Sequence, residues 1–373
     1  MTGIDGQATT SPQWLVAIDD GHSETKVAHF SEGHSGPIVE TAFASKVIRG
    51  VDMVSSKTGR PGAFYLCGNG PFDIHTTERF TLLDRSSSIR VNNRFRAFPT
   101  SPQNRVLVYE ALNGVRQLDG PVEIGTTLPY ADFHLPDGSH NRSLIDSKKD
   151  SIRQIAFRTN PETGEGIEPP FQIASHGIYS EGLMAFYDVL LDYRDGAIEI
   201  NEPFLRRFSN ATRPFAVIDI GGKTTDIVIG SWNGDIATPI DINVMASMSH
   251  PAGVLAATDQ LEARLKMAFD SPVIGDLDGA LSTGRAFLFG QEIDVTEHRD
   301  RALDDLAARL IDVIRTKTDD AATFACIVLC GGGALLMPQI ARIYPPQLVL
   351  RTERPQFANA RGILKFMKLA ANG

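Results

Sequence analysis

The chain has 373 residues, 42% of them hydrophobic and 22% charged, a globular composition long enough for two lobes with separate cores. Its net charge of −9, from 36 basic and 45 acidic residues, argues against a broad nucleic-acid footprint on the isolated subunit, so no direct DNA binding is expected. Cys67, Cys326 and Cys330 sit in apolar contexts without CxxC or Cys/His metal spacing, and no stretch approaches the roughly 20 apolar residues of a membrane span, which together point to buried thiols in a reducing cytoplasm and no membrane attachment.

The first dozen residues are polar, with neither a basic start nor an apolar signal core, and read as a loose tail. From Ala17 to Val27 an apolar run stops at Asp19, turns through Gly21 and returns, the pattern of a β-hairpin. Thr41 to Ile48 and Ala63 to Cys67 then read as short strands around the turn-rich Ser55 to Gly62, a sheet-rich insertion. Asn104 to Gly114 has a helical pattern ending on glycine, and Val122 to Leu128 reads as a strand closed by Pro129. Asp137 to Asn141 and Asn160 to Pro170 have loop composition. Ser180 to Tyr193 reads as a helix placed to cross between lobes as a hinge.

The hairpin then recurs. Val217-Ile218-Asp219-Ile220-Gly221-Gly222-Lys223-Thr224-Thr225-Asp226-Ile227 aligns position by position with Ala17 to Val27, which suggests a duplicated, two-lobed molecule. Backbone N–H groups freed at such a turn make an anion-binding concavity, and a carboxylate beside it suits a hydrated divalent cation. Gly222-Lys223-Thr224 mimics the tail of a P-loop, but position 217, where that motif needs its first glycine, is Val. Gly68-Asn69-Gly70 opens like a dinucleotide fingerprint, but Asp73 replaces the third glycine. Two amphipathic helices follow, Ala252 to Phe269 and Arg299 to Thr316, and then the buried-strand run Cys326 to Cys330. Gly331-Gly332-Gly333-Ala334 leads from that strand into an expected helix over Leu335 to Ile343, where main chain alone would face a flat ring or a ribose. Ala358 to Lys368 reads as an amphipathic final helix packed on the core. Strands alternating with helices make the class α/β.

Two aspartate hairpins followed by a strand, three glycines and a helix resemble the actin, heat-shock chaperone and sugar-kinase superfamily. Within it, Ile18-Asp19-Asp20-Gly21, Lys26, the Thr127-Leu128-Pro129 strand end, Asp219 to Asp226 and Gly331 to Ala334 are similar to the bacterial actin-like plasmid segregation proteins, the ParM/StbA family. The resemblance runs from about Leu15 to Lys368 and is sharp only at these motifs. It implies an actin-like fold with ribonuclease H-like duplicated lobes about a central nucleotide cleft: lobe I over 13–178 with the insertion at about 40–100, lobe II over 179–350, and 351–373 returning to lobe I.

The resemblance also assigns roles. Asp19 and Asp219 would hold Mg²⁺ through water; Gly21, His22 and Ser23 would cradle phosphates from one lobe, and Gly221, Gly222, Lys223 and Thr224 from the other. Lys26 would meet the β- and γ-phosphates, and Gly331, Gly332 and Gly333 the nucleoside of ATP or GTP. The family positions its hydrolytic water with Glu or Gln near the start of the hinge helix; at that place His176 is the first candidate, with Gln172 and Glu181 as alternatives. A structural histidine at 176, a solvated Lys223, and Asp20 and Asp226 as turn formers or lysine partners are the plainer readings. The implied function is a cytoplasmic protein that assembles head to tail with itself into dynamic filaments for plasmid or DNA segregation, disassembles on hydrolysis, and meets DNA through an adaptor bound to a centromere-like site. The rivals are a sugar-type kinase of the same superfamily, with Asp132 or Asp146 as its base, and a nucleotide-binding scaffold with little hydrolysis.

Overall fold

The computed structural model describes residues 14–50, 63–68, 77–85, 87, 89–208, 213–233, 240–270 and 274–371; the tail and the turn-rich Ser55 to Gly62 lie outside them. Both aspartate motifs are antiparallel hairpins. Trp14–Asp20 pairs with Glu24–Glu32 and sets Asp19 opposite Lys26, while Pro214–Ile220 pairs with Thr225–Trp232 and sets Asp219 opposite Asp226.

The duplication extends well beyond the hairpins. In the first sheet the order is Phe171–Ser180, Gly120–Leu128, Trp14–Asp20, Glu24–Glu32, Ser35–Ala44. In the second it is Val349–Arg351, Cys326–Cys330, Pro214–Ile220, Thr225–Trp232, then Ile240–Ile242, with Met248–His250 also on Thr225–Trp232. Each sheet thus joins a three-strand meander to two parallel strands laid beside its first strand, so each motif strand is central, has no free edge, and is fixed in register on both sides.

Strand alternation divides the core. Leu15 and Ala17 point to one face of the first sheet and Val16 and Ile18 to the other, all fully buried. The Val16 face packs on helix Pro102–Asn113 through Val106, Leu107 and Leu112. Ile218 and Ile220 of the second sheet likewise pack on helices Val254–Phe269 and Thr296–Thr318 through Leu261, Leu306 and Leu310. The inner faces, with Leu15, Ala17, Val217 and Val328, meet one shared cluster built on helices Leu183–Leu190 and Ala358–Ala371. There Phe186 stacks on Phe215 with centroids 3.9 Å apart. The two sheets are therefore joined by a common apolar layer.

Several local expectations need correction. Thr41 to Ile48 is not one strand: Ser35–Ala44 completes the first sheet, and Val47–Arg49 opens a small sheet with Glu78–Leu82, Ala63–Cys67, Ala156–Thr159 and Gly166–Ile167. The break falls at Ser45, whose hydroxyl bonds Gly21 O at 2.7 Å and Thr25 Oγ1 at 2.9 Å, tying the strand end to the first turn. The hinge helix is shorter than its apolar pattern, because Ser180 still belongs to a strand and the chain leaves the helix at Leu190 for the hairpin Leu191–Arg194 and Ala197–Ile200. Asp195 and Gly196, both at positive φ, make its two-residue turn. Pro338 interrupts the helix expected over Leu335 to Ile343, leaving Gly333–Leu336 and a 3-10 turn, Pro338–Ile343. Helix Arg142–Arg153 was hidden by its polar sequence.

Candidate functional site

The two turns and the triple glycine meet at one cleft between the lobes, of about 310 Å³. It is lined by Asp19, Gly21, His22, Ser23 and Lys26 from the first hairpin, by Asp219, Gly221, Gly222, Lys223 and Thr224 from the second, and by Gly331, Gly332 and Gly333. Residues 200 and 300 positions apart in sequence are thus assembled in one place by the two sheet topologies. The turns abut: a Cβ on Gly222 would lie 2.4 Å from Ser23 Oγ, and Lys223 Nζ lies 3.4 Å from His22 Nε2. Burial, with the Lys223 charge next in weight, pushes the His22 imidazole down to about 3. His22 is therefore neutral near pH 7 and can accept from Lys223.

The glycines do different things. Gly331 has φ +82° and lies against Asp219 Oδ1 and Ile220 O, so a Cβ would be both strained and blocked, and Gly333 is pressed on the Ile220 side chain. A Cβ on Gly332 would meet nothing within 4 Å, so this is the glycine whose missing side chain leaves the cleft open. The second turn is held from below by helix Val254–Phe269, whose Val254 and Leu255 N–H groups donate to Gly221 O and Gly222 O at 3.0 and 2.9 Å.

The floor is acidic. Asp19 and Asp219 line it and Asp226 stands outside the lining, each at most 5% exposed, and Lys26 Nζ reaches Asp19 Oδ2 at 3.4 Å. Burial raises Asp19 to about 6 against the pull of Lys26, with Asp219 adding to the rise. Burial also raises Asp219, a rise opposed chiefly by the hydrogen bond from Asn359 Nδ2 to its Oδ2 at 2.6 Å. Asp226, bonded by Ser249 Oγ, is raised to about 7 by burial and by Asp219. Packing like charges into a dry floor is costly unless a cation joins them. Among the described residues no three side chains form a direct ligand set; carboxylates this arranged fit a hard divalent cation held through its own waters.

Asp20 does not face the cleft at all. Its carboxylate takes Lys148 Nζ at 2.6 Å, with both side chains 1% exposed, Asn104 Nδ2 at 2.7 Å and Thr127 N at 3.1 Å. It pins two helices and a strand behind the first turn, and these bonds hold its carboxyl below the usual range in spite of burial.

The water-positioning candidates separate cleanly. His176 stands on strand Phe171–Ser180 beside Ile124, outside the cleft lining, with Nε2 2.9 Å from Thr126 Oγ1. Burial pushes it down to about 3. The strand carries it short of the expected hydrolytic position: four residues, Gly177 to Ser180, separate it from Glu181 at the cleft end. Gln172 is farther back, opposite Pro121. Glu181, where the chain leaves that strand for the hinge, lines the cleft, and burial plus Asp19, Asp226 and Asp219 push its carboxyl well up. Neither Asp132 nor Asp146 lines the cleft. Sequence reading missed Asn359, Leu281, Ser282, Leu335 and Leu336 in the lining; no motif marks them.

Comparison with known proteins agrees with this fold. Residues 217–341 match the family model of the archaeal actin homologue MreB-like C-terminal region. No curated protein sequence matches. Among solved structures, a 15-stranded ParM filament from Clostridium botulinum aligns with TM-score 0.71 and 18% identity over 96% of this chain and 100% of that one. Ta0583, an archaeal actin homologue in complex with ADP, gives 0.69 and 20% over 96% and 99%. Bacillus thuringiensis ParM with AMPPNP gives 0.63 and 12% over 97% and 100%.

Proposed function

From the premise that this chain has the actin-like fold over nearly its whole length, we propose that it is a nucleotide-dependent, self-assembling filament protein that hydrolyses ATP or GTP with Mg²⁺. The observation that carries this reading is the convergence of both hairpin turns, the Gly332 opening and Glu181 on one interlobe cleft. Main-chain N–H groups at Gly21 to Ser23 and Gly222 to Thr224 would bind the phosphates, the Gly221 N–H closing its own turn on Thr224 O at 3.0 Å, with Lys26 as a point charge among them. Asp19 and Asp219 would hold the hydrated Mg²⁺, which when bound supplies positive charge to the phosphates. Glu181, poised by its raised affinity for a proton, would orient the attacking water and take its proton. Binding that draws on both lobes closes them, and closed subunits add head to tail into an open, heterologous assembly that hydrolysis loosens.

The same reading extends to a cytoplasmic role in plasmid or DNA segregation through an adaptor on a centromere-like site, in keeping with the acidic subunit. The kinase rival loses its candidate bases, since Asp132 and Asp146 stand outside the cleft, and the scaffold rival rested on His176 in place of a carboxylate. Light scattering and phosphate release, followed together on protein with Mg²⁺ and ATP, then GTP, test the proposal. Scattering should rise on nucleotide addition and decay as phosphate appears, with Asp219→Ala unable to hydrolyse. Absence of scattering across a wide concentration range would sink it.

A further inference from the structure

The C-terminal helix reaches the cleft through one side chain. Asn359, in the first turn of Ala358–Ala371 and 5% exposed, donates from Nδ2 to Asp219 Oδ2 at 2.6 Å and accepts at Oδ1 from Gly182 N at 3.0 Å. The amide's orientation follows from its partners, because a backbone N–H only donates and a carboxylate only accepts. Gly182 is the residue between Glu181 and the hinge helix, and at φ +72° it turns the chain from strand to helix. A single neutral side chain therefore spans the second-lobe carboxylate and the peptide that carries Glu181.

The rest of the helix is docked on the hinge helix by contacts separate from this amide. A Cβ on Gly362 would lie 1.8 Å from Met184 O, so helix Ala358–Ala371 touches the hinge helix main chain to main chain. Arg361 and Lys365 grip Asp188 of the hinge helix, at 2.7 Å each, and Arg361 also takes Glu40 at 2.6 Å. Lys365 bonds Asp188 O as well, at 2.7 Å. The counterpart carboxylate, Asp19, is met by Lys26 at 3.4 Å and Thr127 Oγ1 at 3.5 Å, longer contacts from its own lobe.

We propose that Asn359 is a positioning residue for Asp219: it fixes the carboxylate that receives the hydrated cation and ties its orientation to the start of the hinge. The inference rests on the nucleotide-binding reading above and assigns a residue that reading does not use. The amide serves both partners at once through separate atoms, Nδ2 donating and Oδ1 accepting. Leucine would match its shape and serve neither.

The test measures binding of a fluorescent ADP analogue to the full chain as Mg²⁺ is raised from chelator-buffered zero, for wild type, Asn359→Leu and Arg361→Ala. Asn359→Ala gives the same measurement should the leucine variant fail to fold. Removing the amide should raise the Mg²⁺ midpoint about tenfold or more, the usual cost of losing a partner that orients a metal-binding group, with affinity in chelator unchanged. Arg361→Ala, which removes pairs to Asp188 and Glu40 and leaves the helix docked through Lys365 and Gly362, should leave the midpoint near wild type. An unchanged midpoint in the Asn359 variants, or an equal shift in Arg361→Ala, overturns the positioning role while leaving the functional reading intact. Wild type that binds no nucleotide at any Mg²⁺ concentration overturns both.

Discussion

Glu181 and His176 show how five positions decide a residue's chemistry. His176 is on a strand that runs toward the cleft, but its ring is spent on Thr126 and is kept neutral by burial; Glu181 stands where that strand has ended, among Asp19, Asp219 and Asp226. Glu181→Gln should slow phosphate release by about 100-fold or more, within the range of lost general base catalysis, while leaving binding of the ADP analogue nearly unchanged; His176→Gln should leave phosphate release close to wild type. The histidine should show itself in stability instead. Its folded value, about 3, lies below the ordinary 6.5, so its contribution is full above about pH 6.5 and is lost as pH falls toward 3. Melting temperatures of wild type and His176→Gln measured from pH 7.5 to 4.5 should therefore converge, or cross, on the acid side; parallel curves would show that the ring is not held neutral. Asp226 should behave oppositely. Raised to about 7, it is buried at a cost when ionised, and Asp226→Asn should gain stability on the order of a few kcal/mol at pH 8, shrinking toward pH 4, read from the same melts.

Helices and strands follow the sequence best where one face is apolar and the other polar. Helices Val254–Phe269 and Thr296–Thr318 lie close to their periodic patterns, because each buries a single stripe against the second sheet. The hinge helix did not follow its pattern, since the Leu190–Leu191 run is apolar for two reasons at once: Leu190 ends a buried helix and Leu191 is the one buried residue of the strand that follows. Periodicity cannot divide such a run; Asp195-Gly196 was the readable sign of the hairpin. Helix Arg142–Arg153 was missed because its inward positions include Lys148 and Ser151, whose burial depends on Asp20 and on Arg105 from elsewhere in the chain. Close packing of the C-terminal and hinge helices depends on Gly362. Gly362→Ala should force the two helices apart and destabilise the protein by about 3 kcal/mol or more, as overpacking against main chain does, seen as a lower midpoint in denaturant melts.

At the scale of the whole molecule, the lobes are joined by an apolar layer on one side of the cleft and by charge on the other. Arg94 of lobe I pairs with Asp259 (3.0 Å) and Leu255 O (3.1 Å) of lobe II, Arg90 pairs with Glu262, and Lys46 with Asp278 at 2.9 Å. Arg94 and Asp259 are both well exposed, so salt should screen their attraction. Arg94→Glu is expected to enlarge the nucleotide-free radius of gyration in small-angle scattering and to speed release of the ADP analogue, and 0.5 M salt should bring wild type toward the variant; identical profiles would show that the apolar layer alone sets closure. The sequence by itself determined the two hairpins, their duplication and the glycine turn after Cys330, because strand alternation, aspartate at a strand end and glycine at a tight turn are local requirements that any chain must meet in the same way. Tertiary structure alone decided that these segments share one cleft, that Asp20 turns away to Lys148 while Asp19 lines the cleft, that Glu181 and not His176 reaches the cleft, and that Asn359 stands behind Asp219. Those outcomes depend on which strands become neighbours and which helix returns between the sheets, and residues brought together across about 100 to 300 positions carry no local signal of their meeting.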